Sequence, residues 1–174
     1  MELNLEENTK QEDQLEQIGR RILALSRNEL YLQMRFLDVA LSSLAYVQDF
    51  SVSLVATDGW NLYFHPGELG GLYRKNRLDV NRAYLHAVMH CIFRHMITRK
   101  GREKLWWNLA CDIVTESIID GWNTRNIRRA KSWLRQETYR KMQGEMTVLT
   151  AEKVYGSLMR WELSEREMLR LQAE

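Results

Sequence analysis

The stretch AYLHAVMHCIFRHM, residues 83–96, carries three histidines, and two of them, His86 and His90, are four apart. Residues four apart on an α-helix differ by about 40° in direction, so both imidazoles leave one face and can bind one ion together. His95 lies five residues beyond His90, about 140° further round, and points away from the pair. A catalytic zinc site needs a third protein ligand and an open position for water. Asp112 and Glu116, four apart within the apolar segment NLACDIVTESII, are the candidates, because a buried carboxylate is costly unless it is paired or metal-bound. The same carboxylates could pair with Arg94 or Arg125 instead. An isolated H-x-x-x-H pair is common by chance, so on the residues alone the plain reading of a metal-free core helix leads.

The elements that must hold these residues are mostly helical. LDVNRAYLHAVMHCIFRHMITRKG offers Asp79 or Asn81 as an N-cap, basic residues in a last turn and Gly101 as a C-cap, which predicts the central helix. EKLWWNLACDIVTESIIDG predicts a largely buried partner helix ended by Gly121. Upstream, SVSLVATDGWNLYFHP has β-branched residues, an Asp58-Gly59 turn and a stop at Pro66, the signature of a small β-hairpin. Before it, Leu15, Ile18, Ile22, Leu23 and Leu25 recur at helical spacing and a second apolar pattern runs from Asn28 to Gln48, so two helices are expected. Residues 1–13 lack an apolar period and are expected to be a flexible N-terminus. Two closing helices are expected over TAEKVYGSLMRW and SEREMLRLQAE, the latter opened by a Ser164 to Glu167 capping box. Trp106 and Trp107 read as core, His65 as a turn residue, and His95 as the maker of a structural hydrogen bond to the hairpin.

Composition bounds the rest. The 174 residues suit one domain, and 45% hydrophobic content with nine Gly and one Pro fits a folded, helix-rich chain. No apolar run approaches the roughly 20 residues of a membrane span, and the acidic, polar start is unlike a signal peptide, so the expected location is cytoplasmic, away from membranes. Cys91 and Cys111 lack paired spacing and read as reduced core thiols. Arg125, Arg128, Arg129, Lys131, Arg135, Arg140 and Lys141 cluster against Glu137 alone, which raises nucleic-acid binding as one class. A net charge of +2 and the lack of a binding motif argue against it, leaving a solvated helix face.

From about Val55 to Gly121 the sequence resembles a metallopeptidase domain that, in bacteria and archaea, usually precedes a von Willebrand factor A-like domain. TDGWNLYFHP resembles the family's T-D-G, aromatic and Pro hairpin; LHAVMHCIFRH its L-x-H-E-x-x-H helix with a trailing R-H; WWNLACDIVTESI its W-N-x-A-x-D segment; and LTAEKVYGSL a later A-E-x-x-Y-x-x-L segment. The resemblance implies a zinc (Zn2+) metallopeptidase in which His86 and His90 are ligands and Asp112 the third. Glu116, where the family more often has Asn, is then a weaker ligand or a group supporting one. Ala87 stands at the position of the family's general-base glutamate. Deliberate inactivation and a natural pseudoenzyme both suit an alanine there, and the presence of the other family features favours the first.

The fold so implied is α+β, mostly α: a minimal zincin-like core of hairpin, zinc-binding helix and partner helix, wrapped by N- and C-terminal helices. Residues 14–174 are expected to form a single domain with its core at 52–121 and a helical extension at 122–174. The resemblance implies a family domain that is commonly longer than this chain. Expected partners are a peptide or protein substrate, laid along the hairpin edge at Leu54 and Val55. An AAA+ ATPase or a von Willebrand factor A-like protein is added by resemblance. The rival class is a non-catalytic interaction module with the site structural or lost.

Overall fold

In the computed structural model, which describes residues 2–161 and 163–172, one helix replaces the two expected at the start. Met1 of the expected flexible segment, and Ala173 and Glu174 of the last expected helix, lie outside the described residues. Helix α1 (Glu2–Gln33) runs straight through the Ser26-Arg27-Asn28 interruption because its buried stripe, Gly19, Leu23, Ser26 and Leu30, continues unbroken on one face. A 3-10 turn at Arg35–Leu37 and the short helix α2 (Asp38–Ser42) follow.

The second apolar pattern does not stay helical to Gln48. Ala45–Gln48 form strand β1, which pairs in parallel with β3 (Asn61–Phe64), the strand that also pairs antiparallel with β2 (Val55–Thr57). Tyr46 and Val47 favour an extended chain, and an open edge of β3 decides the matter, which local periodicity cannot see. The sheet order is β1-β3-β2, so the expected hairpin is present with one extra strand. Its turn forms as its residues dictate: the Asp58 carboxylate accepts from the Trp60 and Asn61 amides, and Gly59 takes a φ of +98°. Leu62 and Phe64 point from the central strand into the core.

Two helices complete this first unit, which comprises residues up to Ile92 and the segment Thr124–Ile127. Helix α3 (Pro66–Lys75) starts where the hairpin ends, with His65 as N-cap accepting from the Glu68 amide and Pro66 in the first turn. Helix α4 (Arg77–Ile92) starts earlier and ends earlier than expected. The Asn76 side-chain oxygen accepts from the Leu78 amide, whereas Asn81 is buried and ties α4 to α1 and to the returning segment, donating to Glu29 Oε2 and to the Asn126 carbonyl. Arg82 adds a bond to the Ile127 carbonyl. The helix stops before Gly101, and Arg94 takes a φ of 56° just beyond its end.

The second unit comprises Phe93–Asn123 and Arg128–Glu174. Helix α5 (Lys104–Trp122) is capped by Glu103 and ended by Asn123 in the left-handed region, two residues later than the expected Gly121. Helices α6 (Trp133–Glu145), α7 (Ala151–Arg160) and α8 (Glu165–Gln172) start at Ser132, Thr150 and Ser164, with Ser164 and Glu167 making the expected capping box. Leu109, Ile113 and Val114 of α5 share one core with Met142, Val154, Leu158 and Met168. The architecture is α+β, mostly α, as expected.

Candidate metal centre

Helix α4 sets the geometry. Leu85, Val88 and Met89 are buried and fix its rotation, which leaves His86 and His90 half-buried on an adjacent face. Their rings lie 4.6 Å apart between centroids, and the two Nε2 atoms approach to 2.8 Å. Two imidazoles ligating one zinc at 2.0–2.1 Å across a tetrahedral angle hold their nitrogens about 3.3 Å apart, so a small outward turn of either ring makes room for an ion.

Asp112 on α5 is half-buried, between Cys111 and Ile113, which are both buried. His86, His90 and Asp112 form a group that could hold a metal ion, each offering one ligand atom and all three atoms lying within 4.8 Å of one another. Two nitrogens and a carboxylate oxygen are the donor types of three-ligand zinc sites, so the residues fit such an ion. Ala87 lies beside the pair and is 5% exposed, with a side chain that can neither ligate nor accept a proton.

Glu116 has a partner of its own. Its Oε2 accepts from the Arg135 guanidinium at 2.9 Å, which also bonds Asp120 at 3.4 Å, and Tyr139 donates to the same Asp120 oxygen. Of the two acids that the sequence could not tell apart, one is in the possible metal group and the other binds an arginine. That arginine is Arg135, another member of the basic cluster that holds Arg125. Burial, with Asp120 next, pushes the Tyr139 phenol far above its usual range. Arg125, Arg128, Arg129 and Lys131 are exposed, and Arg140 pairs with Glu137.

Strand β2 approaches α4 through Thr57, whose hydroxyl lies 3.5 Å from Cys91 Sγ, one residue after His90. Cys91 in turn donates to the Ala87 carbonyl. The sequence reads Cys91 as a core thiol and Thr57 as part of the hairpin turn, and no spacing signal links the two. Leu54 and Val55 lie where the chain enters β2: the Leu54 carbonyl accepts from the His65 amide, and Val55 is in register with Phe64. The other edge of β2 pairs with no strand among the described residues.

The remaining sequence candidates are structural. His95 is buried against Trp107, whose indole N–H donates to the His95 carbonyl. His65 caps α3, a role its position before Pro66 makes readable afterwards. Cys111 and Cys91 are free thiols, and burial, then the Asp112 and Glu152 carboxylates, push the Cys111 thiol up to about 12. No helix among the described residues is long and apolar enough to cross a membrane.

A family described as "Putative metallopeptidase domain" matches residues 20–168. No curated protein and no solved structure matches the chain.

Proposed function

The chain belongs to that metallopeptidase domain family, and on this premise we propose that it holds a zinc ion on His86, His90 and Asp112 in a peptidase site that Ala87 leaves without its general base. The observation that carries the reading is the convergence of those three side chains, within 4.8 Å, in a chain matched to the family over residues 20–168. When bound, zinc lowers the pKa of a water toward 7 and polarises a carbonyl. The chain's own residues do the rest. His86 and His90 serve as neutral nitrogen donors, each with Nε2 aimed at the other's. Asp112 adds an anionic oxygen that offsets part of the ion's charge. The edge of β2 that pairs with no described strand offers the backbone groups of Val55 to an extended substrate beside α4, with Leu54 next to it in the chain. At position 87 a methyl group stands where the family's glutamate would take a proton from water and pass it to the leaving amine.

The alternative, a pseudo-peptidase that only binds partners, is favoured by one observation, Ala87 itself. One pair of experiments separates the two. Zinc measured by elemental analysis after dialysis should be close to one ion per chain and absent from His90→Ala. Ala87→Glu should then cut a denatured protein substrate, with chelation abolishing the activity. Zinc bound but no cleavage by Ala87→Glu would leave the interaction module, and zinc absent from the unaltered chain would remove the site altogether.

A further inference from the structure

Beside the entry to β2 lies a groove of about 350 Å³, lined by Ser53 and Leu54 on one side and by Glu68, Gly71, Leu72 and Lys75 of α3 on the other. Gly71 leaves open space in this lining: a Cβ added there would meet nothing within 4 Å. Glu68 and Lys75, both exposed, stand in the first and last turns of α3, where the helix dipole favours an acid and a base respectively. Their charges therefore serve the helix and face water at the two ends of the groove. Between them Leu54 and Leu72 make the walls apolar.

The groove adjoins β2 along the chain, because Leu54 immediately precedes Val55, the first residue of the strand. Leu54 is three residues before Thr57, which meets the turn of α4 that carries His90 and Cys91. At roughly 3.3 Å per extended residue, Leu54 lies within about 10 Å of that point along the chain. We propose that it is a specificity subsite, receiving a large apolar side chain of an extended peptide about three residues from the bond presented to the histidines. A peptide pairing with the β2 edge gains main-chain hydrogen bonds of no sequence preference, and the first apolar recess along that edge is where a side chain can be distinguished. This rests on the peptidase reading given above.

Gly71→Leu starts from a position where an added Cβ meets nothing within 4 Å, and it replaces a helix-interior glycine, so the fold should be kept. Gly70→Leu is the control, because position 70 is equally open but does not line the groove. The probes are decapeptides of Ser, Ala and Gly with one Phe stepped through every position. They are assayed for binding to the zinc-loaded chain and for cleavage by its Ala87→Glu form. The expected result is that Phe about three residues from the cut raises kcat/KM about tenfold or more over Gly there. Gly71→Leu should erase this preference, and Gly70→Leu should retain it. Peptides cut without that preference, or with a preference that survives Gly71→Leu, would overturn the subsite and leave the peptidase standing. Peptides neither bound nor cut would overturn both.

Discussion

Arg135 shows how far a single residue can be misread from its neighbours in the chain. In the sequence it is one of seven cations in a basic stretch, whereas in the fold it is 5% exposed and bonds both Glu116 and Asp120 of α5. An ion pair so buried adds little net stability, but breaking it strands its partners. Arg135→Ala removes one buried guanidinium from both Glu116 and Asp120, so a loss of about 3 kcal/mol is expected in urea denaturation. The double replacement of Arg135 and Glu116 by Met and Leu should recover much of it. A loss under about 1 kcal/mol for the single variant would mean that water already solvates the acids. The same contact explains what was legible at the metal group. Helical spacing alone puts His86 and His90 on one face and makes both Asp112 and Glu116 candidates. Choosing between the acids needs the position of an arginine 19 residues downstream, which no local pattern encodes.

Elements were legible where one face repeats and illegible where a remote partner decides. The hairpin, α5, α7 and the capped start of α8 follow from Asp58-Gly59, from an apolar circumference and from Ser164 with Glu167. Strand β1 and the early stop of α4 do not, because one depends on the open edge of β3 and the other on a left-handed Arg94. Helix α3 was readable but unread: Pro66 in its first turn, Glu68 after it and Arg74 and Lys75 at its end are ordinary boundary signals. Packing of α1 on the sheet gives a test in which two effects have opposite sign. Ala is the better helix former than Gly by about 1 kcal/mol, so Gly19→Ala would stabilise an exposed helix. Here a Cβ at position 19 would fall 2.2 Å from Cε2 and 2.9 Å from Cδ2 of Phe64, a ring with no exposed surface. Overpacking typically costs about 1–3 kcal/mol, and a buried ring on the central strand has nowhere to swing. Gly19→Ala should therefore lower the urea midpoint, and a raised midpoint would show that α1 slides on the sheet at small cost.

For the whole molecule, composition was informative about class and silent about division. The near-balance of 25 basic and 23 acidic residues and the helix-rich content fit the observed α+β fold, mostly α. The return of Thr124–Ile127 to the first unit rests on side-chain to backbone bonds made by Asn81, Arg82 and Asn126, and such bonds leave no period in a sequence. Metal binding is the event expected to act on the stability of the chain as a whole. The three proposed ligands come from positions 86, 90 and 112, and the unfolded chain does not hold them together, so an ion bound to the folded form stabilises it by mass action. With free zinc at about 100 times its Kd the gain is about 2.7 kcal/mol. For a chain of this length that raises Tm by roughly 5–10 °C. Calorimetry with added zinc and then with excess chelator should show that drop. His90→Ala should melt at one temperature in both conditions, because it has no ion to lose. Ala87→Glu should keep the full shift, since position 87 is not a ligand, and this separates the metal's part in folding from its part in chemistry. Equal melting of the unaltered chain with zinc and with chelator would show that the three side chains converge without an ion, and the peptidase reading would lose its foundation.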